Sequence, residues 1–88
     1  MKSRASADFW AAFNAPPRDV QEQAIRAYKL FKADPKHPSL QFKQVSPRRP
    51  LYSVRIGSHY RAIGLRIAKD LIVWDWIGTH REYEKRIG

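Results

Sequence analysis

The chain has no cysteine. No disulfide, thiol nucleophile or cysteine-based metal site is therefore available to it. It also has no run of apolar residues long enough to span a membrane. The N-terminal MKSRASADFW lacks the apolar core of a secretion signal, so a cytoplasmic location with no membrane partner is expected. Acidic residues are scarce and unevenly spread. Asp and Glu number 8 against 17 Lys and Arg, and none lies between Asp34 and Asp70. No pair of carboxylates falls on a strand pattern, which argues against a glycosidase or a two-metal nuclease, because both need convergent acids. Metal-binding HxxxH spacing, a phosphate-binding glycine loop and a nucleophile elbow are missing too. Neither a metal nor a cofactor is expected.

The acid-free interval holds Lys36, Lys43, Arg48, Arg49, Arg55, Arg61, Arg66 and Lys69. Surfaces usually intersperse the two signs, so this interval carries an uncompensated positive field whose natural complement is a polyanion. The formal net charge of +9 at pH 7 points the same way. Nucleic acid or an acidic protein fits better than anionic lipid, since no long basic amphipathic helix stands out. The composition is 43% hydrophobic and 12% aromatic. That is a globular composition, not a disordered basic tail, and one domain spanning residues 1–88 is expected.

Periodicity places the elements. Residues 1–5 carry no strand or helix signal and read as frayed. Ser6 or Asp8 can cap a short helix to Ala15, with Phe9, Trp10 and Phe13 as its apolar stripe. Pro16 and Pro17 end it and open a second helix, in which Val20, Ala24, Ala27, Tyr28 and Phe31 recur at helical spacing. Asp34-Pro35 stops that helix. From Leu40 the period shortens toward two. Strands are expected at Leu40–Val45, Leu51–Ile56, Tyr60–Ile67 and Leu71–Ile77, with antiparallel neighbours because the connections are short. Pro47-Arg48-Arg49-Pro50 forms a basic loop and Gly57-Ser58-His59 a tight reversal. Gly78 breaks the last strand. Thr79-His80-Arg81-Glu82 then matches a capping box and starts a final helix. The fold class is α+β: an N-terminal helical hairpin, an antiparallel sheet of three to four strands and a short C-terminal helix.

A toolkit of basic and aromatic groups suits one reaction. RNA can be cut by its own 2′-OH without a metal. The reaction needs a proton acceptor, a proton donor and cations around the phosphorane charge. Arg55, Arg61, Lys43, His80 and Tyr83 supply these types, and the N-terminus of the last helix adds free N–H groups beside His80. Each has a plainer reading. Arg55 and Arg61 flank a turn, where arginines are commonly just solvated. Lys43 alone is an ordinary surface lysine. His80 can decorate a helix start, and Tyr83 can anchor its helix on the sheet. His37 and His59 read as exposed or structural, and Trp74 and Trp76 as core.

The segment from Leu51 to Gly64 (LYSVRIGSHYRAIG), followed by Val73 to His80 (VWDWIGTH), resembles the RelE/ParE superfamily of type II toxin–antitoxin toxins. The shared pattern is a basic strand, a tight turn, a Tyr-Arg start to the next strand, and an apolar strand ending in Gly and then His or Arg. The resemblance implies a ribosome-dependent, metal-independent endoribonuclease acting on mRNA and neutralised by an acidic antitoxin in a hetero-oligomer. Carried over by position, Arg61, His80 and Tyr83 become the catalytic candidates. Lys43, Arg55, Arg48 and Arg49 become the substrate-binding ones. A ParE-like gyrase inhibitor without nuclease chemistry is the alternative, and a non-toxic basic RNA- or protein-binding module is a third. The family commonly opens with an edge strand, for which residues 1–8 give no signal.

Overall fold

The computed structural model describes residues 1–87. It contains a five-stranded sheet in the order β1-β5-β4-β3-β2, formed by Lys2–Ala5 (β1), Lys43–Gln44 (β2), Leu51–Ile56 (β3), Tyr60–Ala68 (β4) and Leu71–Thr79 (β5). Helices Ala7–Phe13 (α1) and Arg18–Ala33 (α2) follow β1, and His80–Ile87 (α3) follows β5. The α+β class stands, with five strands rather than three or four. The sheet is mixed. β5, β4, β3 and β2 are antiparallel neighbours, but β1 runs parallel to β5.

The segment expected to be frayed is therefore an edge strand. Lys2 N–H donates to Asp70 O at 2.9 Å and Ser6 N–H to Trp74 O at 2.9 Å, closing both ends of the pairing. Backbone bonding to β5 holds it; Lys2 and Arg4 face out and Ser3 and Ala5 are half-buried, but two small inward residues are too weak an apolar row to mark a strand in the sequence. The strand expected at Leu40–Val45 shrinks to Lys43–Gln44. Residues 38–40 form a 3₁₀ turn instead, and Gln41 after it takes a left-handed conformation at φ 45°. Gly78 does not break β5, which runs on to Thr79 before α3 begins at His80.

One face of the sheet carries the main core. Val54, Ile56, Ala62, Ile72, Trp74 and Ile77 pack against Phe9 of α1 and Val20, Ala24 and Phe31 of α2. Phe31 meets Trp74 edge-on at 5.3 Å between ring centroids. Trp10, placed with Phe9 in one stripe, is 47% exposed, so the stripe of α1 is narrower than its spacing suggests. On the opposite face α3 covers only a small cluster, Leu51, Ile63 and Tyr83, with Val45, Trp76 and Ile87 around it.

A β-bulge divides the two tryptophans. Ile63 pairs with Trp76 but its neighbour Gly64 pairs with Trp74, so β5 spends an extra residue at Asp75. Trp74 then points to the helices and Trp76 to the other face. Bulges of this kind re-aim side chains. Asp75 is held in place by a hydrogen bond from the Ser6 hydroxyl at 3.1 Å.

Candidate active site on the open sheet face

Three rows of residues cross the face that the hairpin leaves free. Lys43 pairs with Ser53, Ser53 with Ile63 and Ile63 with Trp76. One step along, Arg55 pairs with Arg61 and Arg61 with Gly78. Leu51 pairs with Leu65 at the far end. Like charges directly opposite each other on a sheet are destabilising. The Arg55–Arg61 pair nevertheless has no carboxylate among its ion pairs, because none of the three formed among the described residues involves an arginine of β3 or β4.

Arg61 is 4% exposed, although its position beside a turn suggests a solvated side chain. Its guanidinium donates to the Gln41 side-chain oxygen at 3.3 Å, to the Gln41 backbone carbonyl at 3.2 Å and to the Ser53 hydroxyl at 3.1 Å. The left-handed backbone at Gln41 aims that carbonyl inward. A non-glycine residue there costs on the order of 1–3 kcal/mol, and such strain persists only where the surroundings hold it. Burial pushes the Arg61 pKa below its ordinary value. The adjacent Tyr83 phenol raises it again and the Arg55 charge lowers it.

Tyr83 arrives from α3 and closes the site from above. The Arg61 guanidinium lies 5.1 Å from the centre of its ring, and its hydroxyl shares a 3.3 Å hydrogen bond with Ser53. Tyr83 is itself 4% exposed. The capping box expected at Thr79 sets this geometry. Thr79 N–H donates to the Glu82 carboxylate at 3.0 Å, and Glu82 N–H donates back to the Thr79 hydroxyl at 3.2 Å. The backbone bond from Thr79 N–H, with a second from the Thr79 hydroxyl at 2.9 Å, holds the Glu82 pKa below the usual carboxylate range. Gly78 completes the frame, since a Cβ there would collide with the indole of Trp76. That indole in turn lies under Arg86, at 5.0 Å.

His80 begins α3, as its place after Thr79 predicts. Its ring stands 5.6 Å from that of Tyr83. Its Nε2 meets the Glu84 carboxylate at 3.0 Å, and the side chain is 54% exposed. Its backbone N–H donates to His59 O at 2.7 Å, which ties the helix start to the β3–β4 turn. Lys43 and Arg55 are exposed beside this cluster. The structure thus brings together Arg61, Tyr83, His80, Arg55 and Lys43. Arg48 and Arg49 do not join them. They sit in the loop before Leu51, which is itself four residues and about 13 Å along β3 from Arg55. Two members were missed in the sequence. Ser53 is fully buried between Arg61 and Tyr83, and its one signal is a small hydroxyl at mid-strand among larger residues. Gln41 had no signal, because its contribution depends on a backbone conformation.

The cluster therefore holds a buried cation under a phenol, an exposed imidazole beside it and open cations around the rim. That arrangement can bind an anion and move protons at it. No three His, Asp or Glu side chains converge among the described residues, and no helix there is long and apolar enough to cross a membrane.

The family model of the ParE-like toxin domain matches residues 18–85. No curated protein sequence matches the chain. Among solved structures, the RelB–RelE antitoxin–toxin complex of Methanococcus jannaschii contains a chain similar to this one at a TM-score of 0.74 and 12% identity, covering 97% of this chain and 99% of that one. YafQ from E. coli strain BL21(DE3) is similar at a TM-score of 0.71 and 10% identity, covering 94% and 97%. A YoeB/ParE toxin from Agrobacterium tumefaciens follows at 0.68 and 13%, covering 91% and 99%. At these identities the likeness is one of fold.

Proposed function

The chain belongs to the ParE-like toxin family, a branch of the RelE/ParE superfamily, and from that premise we propose that it is a toxin whose open sheet face cleaves mRNA on the ribosome. The observation that carries this reading is the Arg55–Arg61 pair, two cations placed opposite each other with no carboxylate between them. A site that tolerates such repulsion is suited to an anion.

In the proposed reaction, His80 accepts the proton of the 2′-OH at Nδ1, because its Nε2 faces the Glu84 carboxylate, and the 2′ oxygen attacks the adjacent phosphorus. The bond from phosphorus to the 5′ oxygen breaks, and the Tyr83 hydroxyl gives its proton to that oxygen. The products are a 2′,3′-cyclic phosphate and a free 5′-hydroxyl, and the imidazolium returns its proton to the phenolate. Arg61 acts beneath the phenol, where its charge stabilises the transient phenolate. Arg55 and Lys43 hold the scissile and flanking phosphates, and the Arg48-Arg49 loop meets the strand farther away. As the toxin of a toxin–antitoxin system, the protein is neutralised by an acidic partner that covers the same basic surface. Induced expression with mapping of mRNA 5′ ends tests the reading. New ends inside coding regions are expected, and they should vanish in Tyr83→Phe and His80→Gln. Growth arrest with intact mRNA would overturn it.

One observation favours a second reading, inhibition of DNA gyrase by binding alone. Arg61 and Tyr83 are both almost fully covered, and His80 is engaged by Glu84. Such a cluster can serve as the rigid base of α3 rather than as a reaction centre. Cleaved DNA–gyrase complexes accumulating while mRNA stays whole would decide for it, and the same two variants would then remain toxic.

A further inference from the structure

Arg55 also borders a second feature, separate from the Arg61–Tyr83 cluster. A cleft of about 460 Å³ opens between α2 and the β3–β4 turn. Its floor is apolar, made by Ala27, Leu30 and Leu40. Its rim carries two guanidiniums, Arg26 and Arg55, and two hydroxyls, Ser39 and Ser58. Among the described residues no carboxylate lines it. Glu22, one helical turn before Arg26, contacts Arg18 instead at 4.0 Å. Arg55 is steadied by the bond from its Nε–H to Gly57 O at 2.8 Å, which leaves its terminal N–H groups for another acceptor. Gly57 has φ 59°, a left-handed conformation that favours glycine, and the turn there lies close against the Gln23 side chain of α2.

These parts match the parts of one nucleotide. Two guanidiniums with no competing acid suit a phosphate, and an aliphatic floor can cover the apolar face of a base. Hydroxyls at the rim suit a sugar, and the size falls within the ordinary range for ligand clefts. We infer that the cleft seats a single nucleotide, with phosphate on Arg26 and Arg55 and the base over Ala27, Leu30 and Leu40. The nucleotide can come free or as one unit of a single-stranded RNA whose path continues past Arg55 onto the open face. The choice of RNA rests on the function proposed above, whereas the cleft's nucleotide chemistry does not.

Amide NMR of the full chain tests this with three probes: a nucleoside 5′-monophosphate, inorganic phosphate, and an RNA octamer blocked by 2′-O-methylation. The mononucleotide should shift Leu30, Gly57 and Ser58 at concentrations where phosphate alone shifts them little. Arg26→Ala, an exposed helix change that leaves the fold intact, should weaken mononucleotide binding about tenfold, the size of one charge-assisted contact. It should also lower the salt dependence of octamer binding by about 0.7 in slope. Equal shifts with phosphate and mononucleotide would overturn the inference, because no base is then being seated. Octamer binding that leaves the cleft unshifted and ignores Arg26→Ala would overturn it while sparing the RNA reading. Mononucleotide in the cleft with no octamer binding anywhere would support the cleft and overturn the RNA reading.

Discussion

Arg61 decides how the site works, because it is both a structural and a chemical residue. It ties Gln41, Ser53 and Tyr83 together. Arg61→Ala removes a partner of the fully buried Ser53 hydroxyl, at a cost of about 1–3 kcal/mol, and two bonds to the exposed Gln41, whose acceptors water can satisfy. Lower stability in urea titration is expected, so lost toxicity in Arg61→Ala would not by itself identify chemistry. Tyr83→Phe separates the two roles. The ring, its packing and the guanidinium over it remain, while the hydroxyl goes with its 3.3 Å bond to Ser53 and its interaction with the Arg61 charge, a change of about 1 kcal/mol. If the hydroxyl moves a proton, cleavage should fall by about 10²–10⁴-fold at nearly unchanged stability. Parallel urea titration and ribosome cleavage assays on Tyr83→Phe check both halves, and cleavage at the wild-type rate would remove the phenol from the reaction. At this scale the sequence was informative where a residue's register alone fixes its place. Tyr60-Arg61 and Thr79-His80 stand where their patterns put them. The burial of Arg61 was not readable, because it depends on Tyr83 of α3 reaching back over the sheet to Ser53 and Arg61. Ser53 showed only a small hydroxyl at mid-strand and Gln41 nothing, because both act on a side chain that reaches them from β4.

Among the elements, α3 is the one whose formation controls the site, and its start is the best-marked boundary in the chain. The capping box gives it a definite acid response. Glu82 has its pKa depressed in the fold by its bonds to Thr79. A depressed carboxylate contributes stability above its unfolded pKa and loses it as pH falls through the folded one. The cap should therefore weaken in the acid range below the usual glutamate pKa, and α3 should loosen first. Amide exchange of residues 80–87 against pH is expected to show this, and Glu82→Gln should flatten the pH dependence while keeping a capping acceptor. Unaltered pH dependence in Glu82→Gln would assign the acid response to another group. Thr79→Ala should cost about 1 kcal/mol by removing the other half of the box. β1 and β2 mark the opposite case. A strand of four residues held by parallel pairing, and one of two residues beyond a 3₁₀ turn, leave too few alternating positions to be seen. The bulge at Asp75 also hides from periodicity, and it sends two tryptophans at i, i+2 to opposite faces.

For the whole molecule, the question is whether the net charge of +9 acts as a diffuse field or as discrete contacts. The fold argues for contacts. The helical hairpin covers one face of the sheet, and α3 covers only part of the other. Lys43 and Arg55 are left exposed around Arg61. Single-stranded RNA gains a salt slope of about −0.7 for every phosphate neutralised. With Lys43 holding one phosphate and Arg26 and Arg55 sharing another, the slope should be near −1.4, and binding should weaken about sevenfold between 50 and 200 mM salt. Lys43→Ala should reduce that slope by about 0.7, and the charge-matched Lys43→Arg should not. Arg48→Ala should change the slope less than Lys43→Ala, since its loop lies at the far end of β3. A slope that falls equally for every basic residue removed would mean that RNA senses only total charge. Fluorescence anisotropy of a labelled RNA across a salt series distinguishes the two, because a diffuse field has no way to rank Lys43 above Arg48.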